Sequence, residues 1–214
     1  MREITEEMLD ELRASVERRM SPKRFLHTAA VERAVIWLGE LYCPEQILQL
    51  RAAALLHDIT KELSKEEQIA LCHRLGVAYD DDTVAAPKTF HAITAAALIP
   101  IEYPDFARED IIGEVRYHTT GKDGMTIGEM LVYLADYIDD TRTFDDCVTL
   151  RNEIKNAHPE ACGREERMQI LYRVMKRSFD MTIRGLLEKG TVISRDTVSA
   201  RNDMVKLIGE EKKG

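Results

Sequence analysis

From Ile4 onward, apolar side chains in this chain recur at three- and four-residue spacing and almost never alternate one for one. That period belongs to helices with one buried face, not to half-buried strands, and it restricts the chain to an all-α architecture. Local stop and start signals divide the helices. Ile4, Met8, Leu12 and Val16 mark a first amphipathic helix. Ser21-Pro22, a cap followed by a first helical position, opens a second that reaches about Tyr42. Pro44 starts a third, whose segment Ala52–Ile59 is apolar enough to be central in the fold. Ser64 with Glu67 and Thr126 with Glu129 are capping boxes, the second opening an apolar helix to about Asp139. Val77–Lys88, with three consecutive aspartates and Pro87, reads as a loop. A helix from Phe90 is expected to stop at Pro100, and another covers Glu109–His118. Asp145–Ala157, Glu165–Leu187 and a helix capped by Ser194, ending near Lys212-Lys213, complete the array.

No repeat, low-complexity segment or break in composition marks a second domain. We therefore expect one domain over residues 1–214, with a core over about 23–204, an N-terminal amphipathic helix over 3–19 and a charged tail. The first helix has two outlets for its apolar stripe, its own domain or a second copy in a homodimer. Thirty basic against 38 acidic residues give a net charge of −8, which argues against nucleic acid as the main partner. MREITEEMLDELR has no apolar signal core, and the uncharged stretch Thr89–Ile101 is too short to span a bilayer and contains His91 and Pro100. Cys43, Cys72, Cys147 and Cys162 show no C-x-x-C spacing and read as reduced thiols, so a cytoplasmic location is expected.

The polar residues inside the apolar runs are where chemistry is to be sought. His57-Asp58 ends AAALLHD, and burying both without partners costs several kcal/mol. Taken alone, the pair has a structural explanation: Asp58 caps the next turn and His57 bonds a backbone carbonyl. It does not stand alone. His27 lies in RFLHTAAVERA, His91 opens HAITAAALI, His118 closes EVRYH, and Asp136 interrupts MLVYLADYI, where a carboxylate needs a cation. His73, in a charged helix, and His158, before Pro159, read as solvated or structural. Imidazoles and carboxylates without thiolates suit divalent transition ions. On a helix, His57 and Asp58 project about 100° apart and face neighbouring parts of one cavity.

The order His27 … His57-Asp58 … Asp136 resembles the HD-domain metal-dependent phosphohydrolases. LLHDITKEL, RYHTTGKDGMT, LADYIDDTR and DTVSARN are similar to their YqeK branch, the symmetrical diadenosine tetraphosphate hydrolases. The resemblance runs from about Lys23 to Asn202 and implies a helical HD-domain array with a dinuclear metal centre between helices. It implies that His27, His57, Asp58 and Asp136 hold a first ion, and that His91 and His118 hold a second with Asp58 bridging. It places Lys61 and Arg142 on substrate phosphates, with Arg24 and Thr120 as weaker candidates for the same role. The implied cofactor is two divalent or mixed-valence transition-metal ions, iron first, with manganese, nickel and zinc open. The implied chemistry is hydrolysis of a dinucleotide to two ADP, Asp58, Lys61 and Arg142 serving the reaction. The alternatives are an HD phosphohydrolase for a nucleoside mono- or diphosphate or a cyclic nucleotide, and a nucleotide-sensing module without turnover. Two departures touch the pocket wall. Ala92-Ile93 replace the usual glycine and proline after the third histidine position, and Ile138-Asp139-Asp140-Thr141-Arg142 stands for I-E-P-x-R. The lost proline predicts a looser Arg142 segment.

Overall fold

The computed structural model describes residues 3–210, and every regular element among them is helical. Eleven α-helices are described: α1 (Glu6–Arg19), α2 (Pro22–Tyr42), α3 (Ile47–Leu56), α4 (Lys65–Leu75), α5 (Asp81–Ala85), α6 (Phe90–Glu102), α7 (Glu109–Tyr117), α8 (Ile127–Ile138), α9 (Asp145–Asn156), α10 (Arg164–Glu188) and α11 (Arg195–Glu210). The all-α expectation is met, and most boundaries fall within a residue or two of the local signals. Both capping boxes form: Ser64 and Glu67 exchange hydrogen bonds at 3.2 and 2.7 Å, Thr126 and Glu129 at 3.2 and 2.8 Å. The Lys212-Lys213 end of the last helix lies outside the described residues.

Three local readings are corrected. The stretch Val77–Lys88 is not all loop: α5 lies within it, followed by a single 3₁₀ turn at Pro87–Thr89. The aspartates are the reason. Asp80 caps, its carboxylate accepting from the Thr83 N–H at 2.8 Å, and Asp81 and Asp82 occupy the first turn, where negative charge suits the helix dipole. α6 does not stop at Pro100 but runs to Glu102, because a proline in the last turn removes one hydrogen bond and Tyr103 closes the end on the Ile99 carbonyl at 2.9 Å. The third helix begins as a 3₁₀ turn at Pro44–Gln46, and α3 ends at Leu56. The chain then turns through i+3 bonds, Ile59 to Leu56, Lys61 to Asp58 and Leu63 to Thr60, so His57 and Asp58 sit at the helix end. His57 keeps helical angles, φ −57° and ψ −37°, and the two neighbours still point to adjacent parts of one cavity.

One hydrophobic cluster runs from Ile4 to Met204, with α3, α6 and α8 at its centre. α1 packs on α3 and α2 and buries Met8, Leu12 and Val16, with Ile4 buried just ahead of it. Its polar side is pinned as well: buried Glu32 pairs with Arg13 and, at 3.0 Å, with Arg51, which also holds Glu6 at 2.6 Å. The stripe available for a second copy is used within the chain. Among the described residues no helix is long and apolar enough to cross a membrane.

Candidate metal centre

Five segments bring six side chains into one cluster. α2 supplies His27, the turn after α3 supplies His57 and Asp58, and the first turn of α6 supplies His91. His118 ends α7, and Asp136 lies in the last turn of α8. The orientation of each imidazole has a local cause. His57 Nδ1 donates to the Ala54 carbonyl at 2.6 Å and His118 Nδ1 to that of Val115 at 2.7 Å. Each bond satisfies a carbonyl at a helix end and leaves Nε2, with its lone pair, facing the cluster. The carbonyl bond foreseen as the structural role of His57 is thus what frees its other nitrogen.

The Asp58 carboxylate divides between two groups of donors. Its Oδ2 lies 3.4 Å from His57 Nε2 and 3.6 Å from His27 Nε2, while Oδ1 lies 3.2 Å from His91 Nε2 and 3.8 Å from His118 Nε2. His27 Nε2 is 3.0 Å from Asp136 Oδ1, and His91 and His118 approach at 3.0 Å. The donor atoms of His27, His57 and Asp136 lie within 4.8 Å of one another, and so do those of His57, Asp58 and His118. His27 Nε2, His57 Nε2 and Asp58 Oδ1 are buried without a hydrogen-bond partner. Folded proteins rarely leave such atoms unpaired, and three in one cluster of imidazoles and carboxylates fit bound cations.

The electrostatics follow from burial and neighbours. Burial alone would raise the Asp58 carboxyl, but His57 and His91 hold it well below the usual range. Burial would likewise raise Asp136, and Arg142 and His27 hold it well below. His118 is pushed well down by burial and by His91 and His57, and His91 is lowered mainly by burial, so both imidazoles are neutral and able to bind a metal. Burial would lower His27, yet the carboxylates of Asp136 and Asp139 beside it raise it to about 9. A cation held by His27 would displace that proton, since a ligating imidazole must be neutral.

Three of the four residues expected on phosphate gather at the exposed edge of the cluster. Arg24 Nη1 donates to Asp58 Oδ2 at 2.8 Å, Lys61 Nζ lies 3.1 Å from His91 Nε2, and Arg142 pairs with Asp136 and, at 3.1 Å, with Asp139. Each keeps about a third of its side chain exposed, at 27%, 31% and 31%. Lys61 is lowered, mainly by burial, with Arg24 and Arg142 adding to the effect against the pull of Asp58 and Asp136. Thr120 is not among them: it is buried and its hydroxyl donates to the Gly121 carbonyl at 2.9 Å. Its neighbour Thr119 faces the cluster instead, its hydroxyl 3.1 Å from His118 Nε2 and 3.3 Å from His91 Nε2. The change follows from the turn after α7, where Gly121 at φ 65° carries the chain away against Phe179 and Ala200. His73 and His158 are exposed, on Tyr79 and Glu160 respectively.

Asp139 is a residue of the site that sequence reasoning did not single out. It is buried, its Oδ2 lies 3.3 Å from His27 Nδ1, and Oδ1 accepts from the Thr141 N–H at 2.9 Å. The available signal was its place one turn beyond Asp136.

The HD domain family matches residues 24–141. The bis(5'-nucleosyl)-tetraphosphatase (symmetrical) of Bacillus subtilis strain 168 is 34% identical over 137 residues, which cover 63% of this chain and 71% of the relative. That of Halalkalibacterium halodurans is 28% identical over 186 residues, covering 87% and 91%. Among solved structures, a "predicted HD superfamily hydrolase involved in NAD metabolism" from Clostridium acetobutylicum superposes with a TM-score of 0.79 at 27% identity, covering 92% of this chain and 96% of that one.

Proposed function

The chain belongs to the HD domain family, and from that premise we propose that it is a metal-dependent phosphohydrolase that cleaves diadenosine tetraphosphate symmetrically to two ADP. The observation that carries this reading is the division of the Asp58 oxygens between two sets of imidazoles, His27 and His57 on one side, whose inward nitrogens are unpaired, and His91 and His118 on the other. His27, His57, Asp58 and Asp136 would hold one ion, and Asp58, His91 and His118 the other. Iron is the first candidate, since nitrogen and oxygen donors without thiolate suit it, as they suit manganese. Two such ions supply Lewis acidity at the phosphoryl oxygens and a water of lowered pKa.

The protein's own groups do the rest. Arg24, Lys61 and Arg142 come from three segments, so they grip phosphates on more than one side of the attacked atom and offset charge as it develops. ADP is a good leaving group, so no strong general acid is required. Residues 1–214 are taken as one domain, a reading supported by the hydrophobic cluster that runs from Ile4 to Met204. The catalytic reading is favoured over a non-catalytic sensor because all six expected donors are present and converge.

The test is to incubate the metal-loaded protein with diadenosine tetraphosphate in ¹⁸O-water. In the expected reaction one P–O bond breaks, the water oxygen joins the attacked phosphorus, and ADP is the only product, with one label per cleavage. AMP with ATP as primary products would contradict symmetrical cleavage, and binding without turnover would establish the sensor.

A further inference from the structure

The loop after α8 carries two residues that reach the centre, Asp139 on His27 and Arg142 on Asp136, and its backbone is held from outside by a third. Arg151, on α9, donates from Nε to the Ile138 carbonyl at 2.6 Å, and from Nη2 to the carbonyls of Asp139 and, at 2.7 Å, Arg142. We propose that Arg151 is a positioning residue for the reaction: its guanidinium, spread over three carbonyls of residues 138–142, sets where Asp139 and Arg142 meet His27 and Asp136. This rests on the proposed site and extends it to a residue that touches neither metal ligands nor substrate.

The chemistry selects arginine. A helix end leaves carbonyls without partners, and Ile138 and Asp139 are the last residues of α8 and its cap. A planar fork of five donors, always charged, satisfies carbonyls pointing from different parts of one turn, whereas a lysine ammonium offers a single point of contact. Within the loop, the Asp139 side chain binds the Thr141 N–H and the Arg142 N–H bonds the Asp139 carbonyl at 3.2 Å, but no proline stiffens it. Asp139 has φ −54° and ψ 151°, the extended shape of a residue that precedes proline, and among the described residues the Asp140 N–H donates no hydrogen bond. A proline at position 140 would therefore impose the loop shape by a route independent of Arg151.

The test compares Arg151→Lys with and without Asp140→Pro. Trp37, the only tryptophan of the chain, lines the same groove as Arg151, so its fluorescence reports the state of the loop. Removing a group that holds a metal ligand costs roughly 10- to 100-fold in affinity or activity, and Arg151 acts through two such groups, Asp139 on His27 and Arg142 on Asp136. Expected for Arg151→Lys are a fall of about that size in kcat, a weakening of about tenfold in one of two Mn²⁺ binding steps, a changed Trp37 emission and an intact cooperative melt. Adding Asp140→Pro should recover at least about a third of each loss. Arg151→Lys within about threefold of wild type in both readouts overturns the proposal, as does a loss that Asp140→Pro leaves untouched, because Arg151 would then serve only the fold. If Arg151→Lys alone does not fold, the double variant carries the test, and its failure to fold also overturns the proposal. A wild-type protein that hydrolyses no dinucleotide removes the proposed function but leaves the Mn²⁺ and fluorescence readouts to decide this inference.

Discussion

Gly121→Ala is the change whose cost can be worked most directly from the structure. Gly121 adopts φ 65°, and a Cβ placed there would lie 2.7 Å from Phe179 Cζ and 2.9 Å from the Ala200 Cβ. Left-handed backbone costs a non-glycine residue about 1–2 kcal/mol, and overfilling a packed site costs about 1–3 kcal/mol. Gly76, the cap of α4, has the same φ of 65° with nothing within 4 Å, so Gly76→Ala carries the backbone term alone. For a chain of this length each kcal/mol lowers the melting temperature by roughly 2–4 °C. Gly76→Ala should therefore lose about 2–8 °C, and Gly121→Ala a further 2–12 °C or so. The assay is thermal unfolding of both variants by circular dichroism, free of metal. Phe179→Leu, which shortens the clashing ring, should show a favourable coupling with Gly121→Ala of about 1 kcal/mol in a double-mutant cycle. Because Gly121 follows Thr119 by two residues and His118 by three, the strain should also displace the proposed second ion first. Gly121→Ala melting no lower than Gly76→Ala would refute the packing argument.

The reconstituted protein should bind close to two transition ions per chain by elemental analysis; Asp58→Ala should lose both, His118→Ala mainly one, while His73→Ala and His158→Ala should match wild type in metal and turnover. A His158→Ala variant as damaged as His27→Ala would break that partition. Glu114 is buried and its carboxyl is raised well above the usual range, by burial first and then by Asp110 and Glu129. Between its unfolded and folded pKa values the native state binds more protons, so the Glu114 contribution to stability falls as pH rises through that window. Glu114→Gln should flatten the decline in melting temperature of the metal-free protein from pH 5 to pH 8, and an unchanged slope would refute this.

Helical period, caps and the polar interruptions of apolar runs are encoded within a few residues of chain, which is why the all-α class, both capping boxes and the six candidate donors could be read from sequence. Those donors were found because burying His57, Asp58 or Asp136 without a partner is costly wherever the chain goes. The same local chemistry was misread twice, where aspartates that suit a loop equally suit a helix start at Asp80, and where Pro100 falls late enough in α6 to be tolerated. Other features depended on packing between distant segments. Periodicity showed that α1 has an apolar stripe, but only its seat on α3 and α2 decided that the stripe is buried within the chain. The sequence placed two threonines after His118, and the turn of Gly121 against Phe179 decided that Thr119 faces the cluster and Thr120 does not. Asp139 reaches His27, and Arg151 reaches three carbonyls of one loop, across 112 and up to 13 residues of chain. Which side chain a hydrogen bond reaches is set by the approach of whole helices, to within tenths of an ångström, and no local pattern carries that distance.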